Sequence, residues 1–221
     1  MFAKYRSRSS GRTVLPSYMA SEEIRQLILA LPIFLLAISF HEYAHAWTAV
    51  RLGDRTPLYD GRLTLNFMSH LSLWGTIMFL IAQIGWAKPV RVTMRNLKDP
   101  KRDMLWISIA GPLANFALAL AFSILLKAYV PFARGDAVGQ TLVQLLSMGV
   151  WLNVLLGLFN LIPIPPLDGS KVIGPFLPVN LRHRLYAIEP WGFIIIYLLF
   201  VWGGLGRILA QAAFWTYRLL V

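Results

Sequence analysis

The chain has 221 residues, 57% of them hydrophobic and 14% charged, and it contains no cysteine. That balance excludes an ordinary soluble domain and a disulfide framework, and it removes thiolates from any metal site. The formal charge of +11 would suit a nucleic-acid partner, but Lys and Arg fall in short segments between long apolar runs. There they act as positive-inside anchors on anionic lipid, so the expected surroundings are a lipid bilayer and no nucleic acid.

Met1 to Ala20 is polar and basic, with Lys4, Arg6, Arg8 and Arg12, and lacks the apolar core of a signal peptide. It is expected to be a flexible tail, residues 1–20, ahead of a single domain over residues 21–221. Ser21 followed by Glu22 and Glu23 has the pattern of a helix start. The first span is predicted over Ile24 to Leu52, with Pro32 as a kink and Gly53 as a stop.

Late in that span stands Phe40 to Trp47, FHEYAHAW. Ionisable side chains at bilayer depth are costly, which marks His41, Glu42 and His45 as a functional site. On a helix, residues four apart share a face with Cβ atoms roughly 5–6 Å apart, close enough for two imidazoles to hold one Zn²⁺ at about 2.0–2.1 Å each. Glu42 lies about 100° round the helix from His41, where it can face water at the metal rather than the metal itself. The pattern is the His-Glu-x-x-His device of zinc hydrolysis, in which the carboxylate is general base. It requires a third ligand.

Arg55 to Leu73 alternates polar and apolar residues through Leu63, Leu65 and Phe67, which predicts a half-buried strand pair. His70, within it, has no partner at helical spacing and is expected to be a loop or interfacial residue. Leu73 to Trp86 is too short for an ordinary span and is predicted to be re-entrant or interfacial. Ala87 to Asp103 carries Lys88, Arg91, Arg95, Lys98, Lys101 and Arg102, the strongest cytoplasmic marker in the chain.

Met104 to Leu126 and Ala137 to Leu167 are further predicted spans, joined by a turn over Pro131 to Asp136. A last apolar segment runs from about Pro190 to Gly206. Arg207 to Val221, with Trp215, Tyr217 and Arg218, reads as an interfacial helix or a continuation of that span. The fold class predicted is therefore an all-α polytopic membrane protein: four main transmembrane helices, a short re-entrant or β-like region between the first and second, and a broken helix at the metal site.

The break is at Asn160-Leu-Ile-Pro-Ile-Pro-Pro-Leu-Asp168-Gly169. Prolines free backbone groups that are tolerated at membrane depth only against protein or water. Asp168 follows at once, the only carboxylate between Asp136 and Glu189. It could cap the next helix, but two histidines in lipid need a partner, so Asp168 is read as the third metal ligand. Asn160 suits either helix packing or donation to substrate or a developing oxyanion. Gly111 and Asn115 suit close helix packing, with Asn115 also a candidate for the substrate groove. For His41 and Asp168 to meet at one depth, their two helices must run in the same direction, which holds if Leu73 to Trp86 does not span.

HEYAH, AGPLAN over residues 110–115, and NLIPIPPLDG over residues 160–169 closely resemble, in order and spacing, the site-2 protease family of intramembrane zinc metalloproteases. The phrases GRLTLN and GWAKPV resemble its short branch, without PDZ or CBS domains; Phe67, Ser72 and Leu73 depart from the branch pattern. The resemblance implies one Zn²⁺ per chain on His41, His45 and Asp168, with Glu42 as catalytic base and Asn160 holding substrate. It further implies a transmembrane protein substrate cut within or near the bilayer, in a bacterial or archaeal cell membrane. Two alternatives to this zinc metalloendopeptidase are a zinc or cation transporter and a non-catalytic pseudo-protease that binds membrane helices. The oligomeric state is not specified by any of these features.

Overall fold

The computed structural model describes residues 17–72, 75, 77 and 88–221. It is built from helices: α1 (Ser17–Arg51), α2 (Thr56–Tyr59), α3 (Phe67–His70), α4 (Pro100–Tyr129), α5 (Ala137–Asn160), α6 (Asp168–Ile173), α7 (Val179–Ala187), α8 (Gly192–Val201) and α9 (Leu205–Leu220). Four stretches are long and apolar enough to cross a membrane: Ile24–Arg51, Pro100–Phe132, Ala137–Asn160 and Val179–Val201. The protein is a multi-pass integral membrane protein of the all-α class predicted.

The helices start where the sequence supplies caps. Asp99 accepts from Arg102 N at 3.2 Å ahead of Pro100, and Asp136 accepts from Gly139 N at 2.8 Å at the start of α5. α1 begins at Ser17, four residues before the Ser21 expected as its cap, and continues through Pro32.

Close packing depends on small residues, because lipid supplies no hydrophobic drive between helices. A Cβ on Gly149 would strike the Phe122 ring at 2.5 Å, and one on Gly157 would stand 3.0 Å from Phe116. These contacts pair 149 with 122 and 157 with 116, so α5 runs antiparallel to α4. The other face of α4 meets α1 with Ala49 beside Ile107 and Ala37 beside Asn115, again antiparallel. α1 and α5 therefore run in the same direction, as a metal shared between His41 and Asp168 requires. α9 covers the outer side of α5, with Ala213 against Val150 and Val154, and is tied to α4 where Ser123 Oγ donates to Leu220 O.

Because α1 ends where α4 begins, the chain leaves and re-enters the bundle at one end. There Ala49, Leu97 and Ile107 form a small apolar cluster. Asp54, fully buried, pins the loop after α1: it accepts from Thr56 N, Thr56 Oγ1 and Asn96 Nδ2 at 3.0, 2.6 and 2.8 Å, and from Thr93 N at 2.7 Å.

Two expectations change. The strand pair expected over Arg55 to Leu73 is two helical turns, α2 and α3, with a single β-bridge at Leu71, and no strand occurs among the described residues. The alternation there is too short to outweigh Pro57 at the start of α2 and Asn66, whose side chain accepts from Met68 N. The last span begins at Val179 as α7, a 3₁₀ turn and α8, and a left-handed Gly204 (φ +71°) separates it from α9. Leu73 to Trp86, expected to be re-entrant, lies outside the described residues except for Gly75 and Ile77.

Candidate metal centre

His41 and His45 project from one face of α1 into the bundle, and both are buried, as are Glu42 and Asp168. After Asn160 the chain turns sharply. Ile162 N donates to Phe159 O at 3.1 Å, Ile164 N to Ile162 O at 2.8 Å and Leu167 N to Ile164 O at 3.0 Å. These bonds satisfy the backbone that the prolines free. The turn is tight enough that a Cβ on Gly169 would stand 2.5 Å from Ile162 O and overlap Leu161 O.

Asp168 is the first residue of α6 and does not cap it. Its Oδ2 lies 3.1 Å from His41 Nε2 and 3.1 Å from His45 Nε2, and the two nitrogens are 3.0 Å apart. The other oxygen, Oδ1, lies 3.7 Å from Lys171 Nζ, one helical turn on.

Three donors at these separations fit a metal ion. Tetrahedral zinc with bonds of about 2.0–2.1 Å sets its ligand atoms about 3.3 Å apart, a few tenths of an ångström wider than the triangle found here. The imidazoles are turned for it. His45 Nδ1 donates to Ile107 O at 2.6 Å and His41 Nδ1 to Asn115 Oδ1 at 2.7 Å, so each ring directs its unprotonated Nε2 at Asp168. The space between them is kept open by Gly111, where a Cβ would stand 2.6 Å from His41 Nε2 and closer still to His45 Nε2. Among the described residues, His41, His45 and Asp168 are the one cluster able to hold a metal.

The centre opens into a cavity of about 460 Å³ whose walls include Phe34, Val90, Phe159, Asn160 and Lys171. Glu42 faces the same cavity, and its Oε2 accepts from Val90 N at 3.3 Å. Asn160 lines the wall, with its Nδ2 donating to Leu156 O at 3.0 Å within its own helix. Asn115 is fully buried, and its amide hydrogens go to Ala37 O at 3.2 Å and Asn153 Oδ1 at 3.1 Å. Asn115 thus meets His41 from inside the bundle, and it also lines the cavity. His70 is fully buried away from this centre, donating from Nε2 to Thr64 O at 2.7 Å.

Sequence reasoning missed Lys171, Asn153 and the Val90 amide. Asn153 carried a readable signal, an amide in an apolar span; the Val90 amide carried none, because any residue but proline has one.

Three residues able to hold a metal ion beside a carboxylate, among helices long and apolar enough to cross the bilayer, fit a membrane zinc metalloprotease. Comparison with known sequences agrees: residues 29–132 and 126–199 match Peptidase family M50, the site-2 protease family, and the chain belongs to it. It is 40% identical over 169 residues to the "putative zinc metalloprotease YwhC" of Bacillus subtilis, covering 76% of this chain and 77% of that one. It is 31% identical over 212 residues to the "putative zinc metalloprotease Rip2" of Mycolicibacterium smegmatis, covering 91% and 80%. With the "putative zinc metalloprotease MJ0611" of Methanocaldococcus jannaschii it shares 32% over 159 residues, covering 68% and 74%. No solved structure matches the chain.

Proposed function

We propose that this metalloprotease cuts the transmembrane helices of other membrane proteins inside the bilayer, with one zinc on His41, His45 and Asp168 and with Glu42 as general base. The depth of the cluster carries this reading. His41 precedes Arg51, the last residue of α1, by three helical turns, about 15 Å along the axis, which is half the thickness of a hydrocarbon core of about 30 Å. A peptide bond reaches that level only on a chain that itself enters the membrane.

Zinc bound at the three donors supplies Lewis acidity toward the scissile carbonyl and acidifies water. The protein does the rest. Glu42 takes the proton of the attacking water and returns it to the departing amine. The Val90 N–H holds Oε2 and leaves Oε1 for that proton. Asn160, on the cavity wall, holds the substrate backbone near the reacting carbonyl. Asn115 acts on the metal centre through His41.

The test is to reconstitute the purified protein in liposomes with a candidate single-span substrate and map the products by mass spectrometry. Cuts within the hydrophobic stretch, absent with Glu42→Gln, support the reading. A zinc-loaded wild type that captures intact helices without cutting them, or that cuts only soluble peptides, overturns it.

A further inference from the structure

The polar contacts that reach His41 continue across two more helices. Asn115 of α4 and Asn153 of α5 are both fully buried at the level of the metal centre. An amide in that setting is costly unless its hydrogen bonds are made. Here they are made in one direction only, because backbone carbonyls accept and never donate.

Asn153 Nδ2 donates to Gly149 O at 2.9 Å, which turns its Oδ1 toward Asn115. That oxygen accepts from Asn115 Nδ2 at 3.1 Å, and the same Nδ2 donates to Ala37 O at 3.2 Å. Asn115 Oδ1 is thereby left to accept from His41 Nδ1 at 2.7 Å. Flipping the Asn115 amide would set its oxygen against two acceptors, Ala37 O and Asn153 Oδ1. The flipped amide would also point an N–H at His41 Nδ1, which would favour the tautomer protonated at Nε2, and that tautomer cannot ligate through the Nε2 that faces Asp168. His45 needs no such relay, since Ile107 O holds its Nδ1 directly.

We infer that Asn153 is a positioning residue for the metal centre: through the Asn115 amide it fixes the tautomer and aim of His41, although it touches neither His41 nor the ion. This rests on His41 being a zinc ligand, as proposed above. Replacing Asn153 by Leu removes one of the two acceptors that forbid the flip and leaves Ala37 O alone to oppose it.

The experiment uses the full-length protein in detergent, with zinc affinity measured by competition against a chelator and melting measured with and without zinc. Asn153→Leu is expected to weaken zinc binding about ten-fold or more and to shrink the rise in Tm that zinc produces. Asn153→Asp keeps an oxygen that accepts from Asn115 Nδ2, so its affinity should return to within a few-fold of wild type. Wild-type affinity in Asn153→Leu, or an equal loss in both variants, overturns the inference. A purely architectural role would lower the Tm of the metal-free protein and leave the zinc-induced rise unchanged. Wild type without zinc would instead defeat the reading of the metal centre itself, so the two failures are told apart.

Discussion

The backbone N–H of Val90 donates to Glu42 Oε2 at 3.3 Å, joining residues 48 positions apart in sequence. The bond holds one carboxylate oxygen; in the function proposed above, the other moves the proton. Glu42→Gln keeps an acceptor for Val90 but loses the base. Turnover is expected to fall by about 10²–10⁴-fold, with about one zinc per chain retained. Elemental analysis beside a cleavage assay checks this, and loss of metal would make Glu42 a ligand.

Asp168→Ala removes one of three donors and should leave the purified protein with much less zinc than wild type or Glu42→Gln. Chelation should inactivate the wild type, and added zinc should restore it, since binding and the ordering of the site are one equilibrium. Zinc retained by Asp168→Ala would move the third ligand elsewhere.

Gly111→Ala tests the opening over the ligands. A Cβ there would fall 2.6 Å from His41 Nε2, and α4 cannot yield without disturbing its packing on both α1 and α5. Zinc content and activity should drop together while the helical circular dichroism persists. Normal zinc content in this variant would mean the opening is wider than the geometry indicates.

Asp54 contributes to the acid end of the stability profile. Burial alone would raise its pKa, but the hydrogen bonds from Thr56, Asn96 and Thr93 outweigh burial and hold the carboxyl below its ordinary value. A depressed folded pKa gives stability that is present above the unfolded value of about 3.9 and is lost as pH falls through the folded one. Asp54→Asn should be less stable at neutral pH by on the order of 3 kcal/mol, and the gap should narrow below about pH 4. Unfolding in mixed micelles at several pH values reads this; a gap that does not vary with pH would remove the carboxylate from the account.

Much of the site was legible because it is local. His41, Glu42 and His45 sit on one helix, where a spacing of four fixes a shared face before any tertiary contact forms. The proline-broken run after Asn160 likewise announced Asp168, since backbone freed within the membrane needs a reason. Over Arg55 to Leu73 the same kind of reading failed: a short alternation yielded to turn chemistry at Pro57 and Asn66, and helical turns formed instead of strands.

By itself, then, the sequence determined the membrane setting, the first three spans and the cluster of His41, His45 and Asp168 with its adjacent carboxylate, because apolar length and intrahelical spacing are properties of short stretches of chain. Only the tertiary structure decided what surrounds them. That Asn115 meets His41, that Gly111 clears the space beside the two imidazoles, and that Val90 reaches Glu42 all follow from α4 packing antiparallel between α1 and α5, a relation among distant segments that no local spacing encodes.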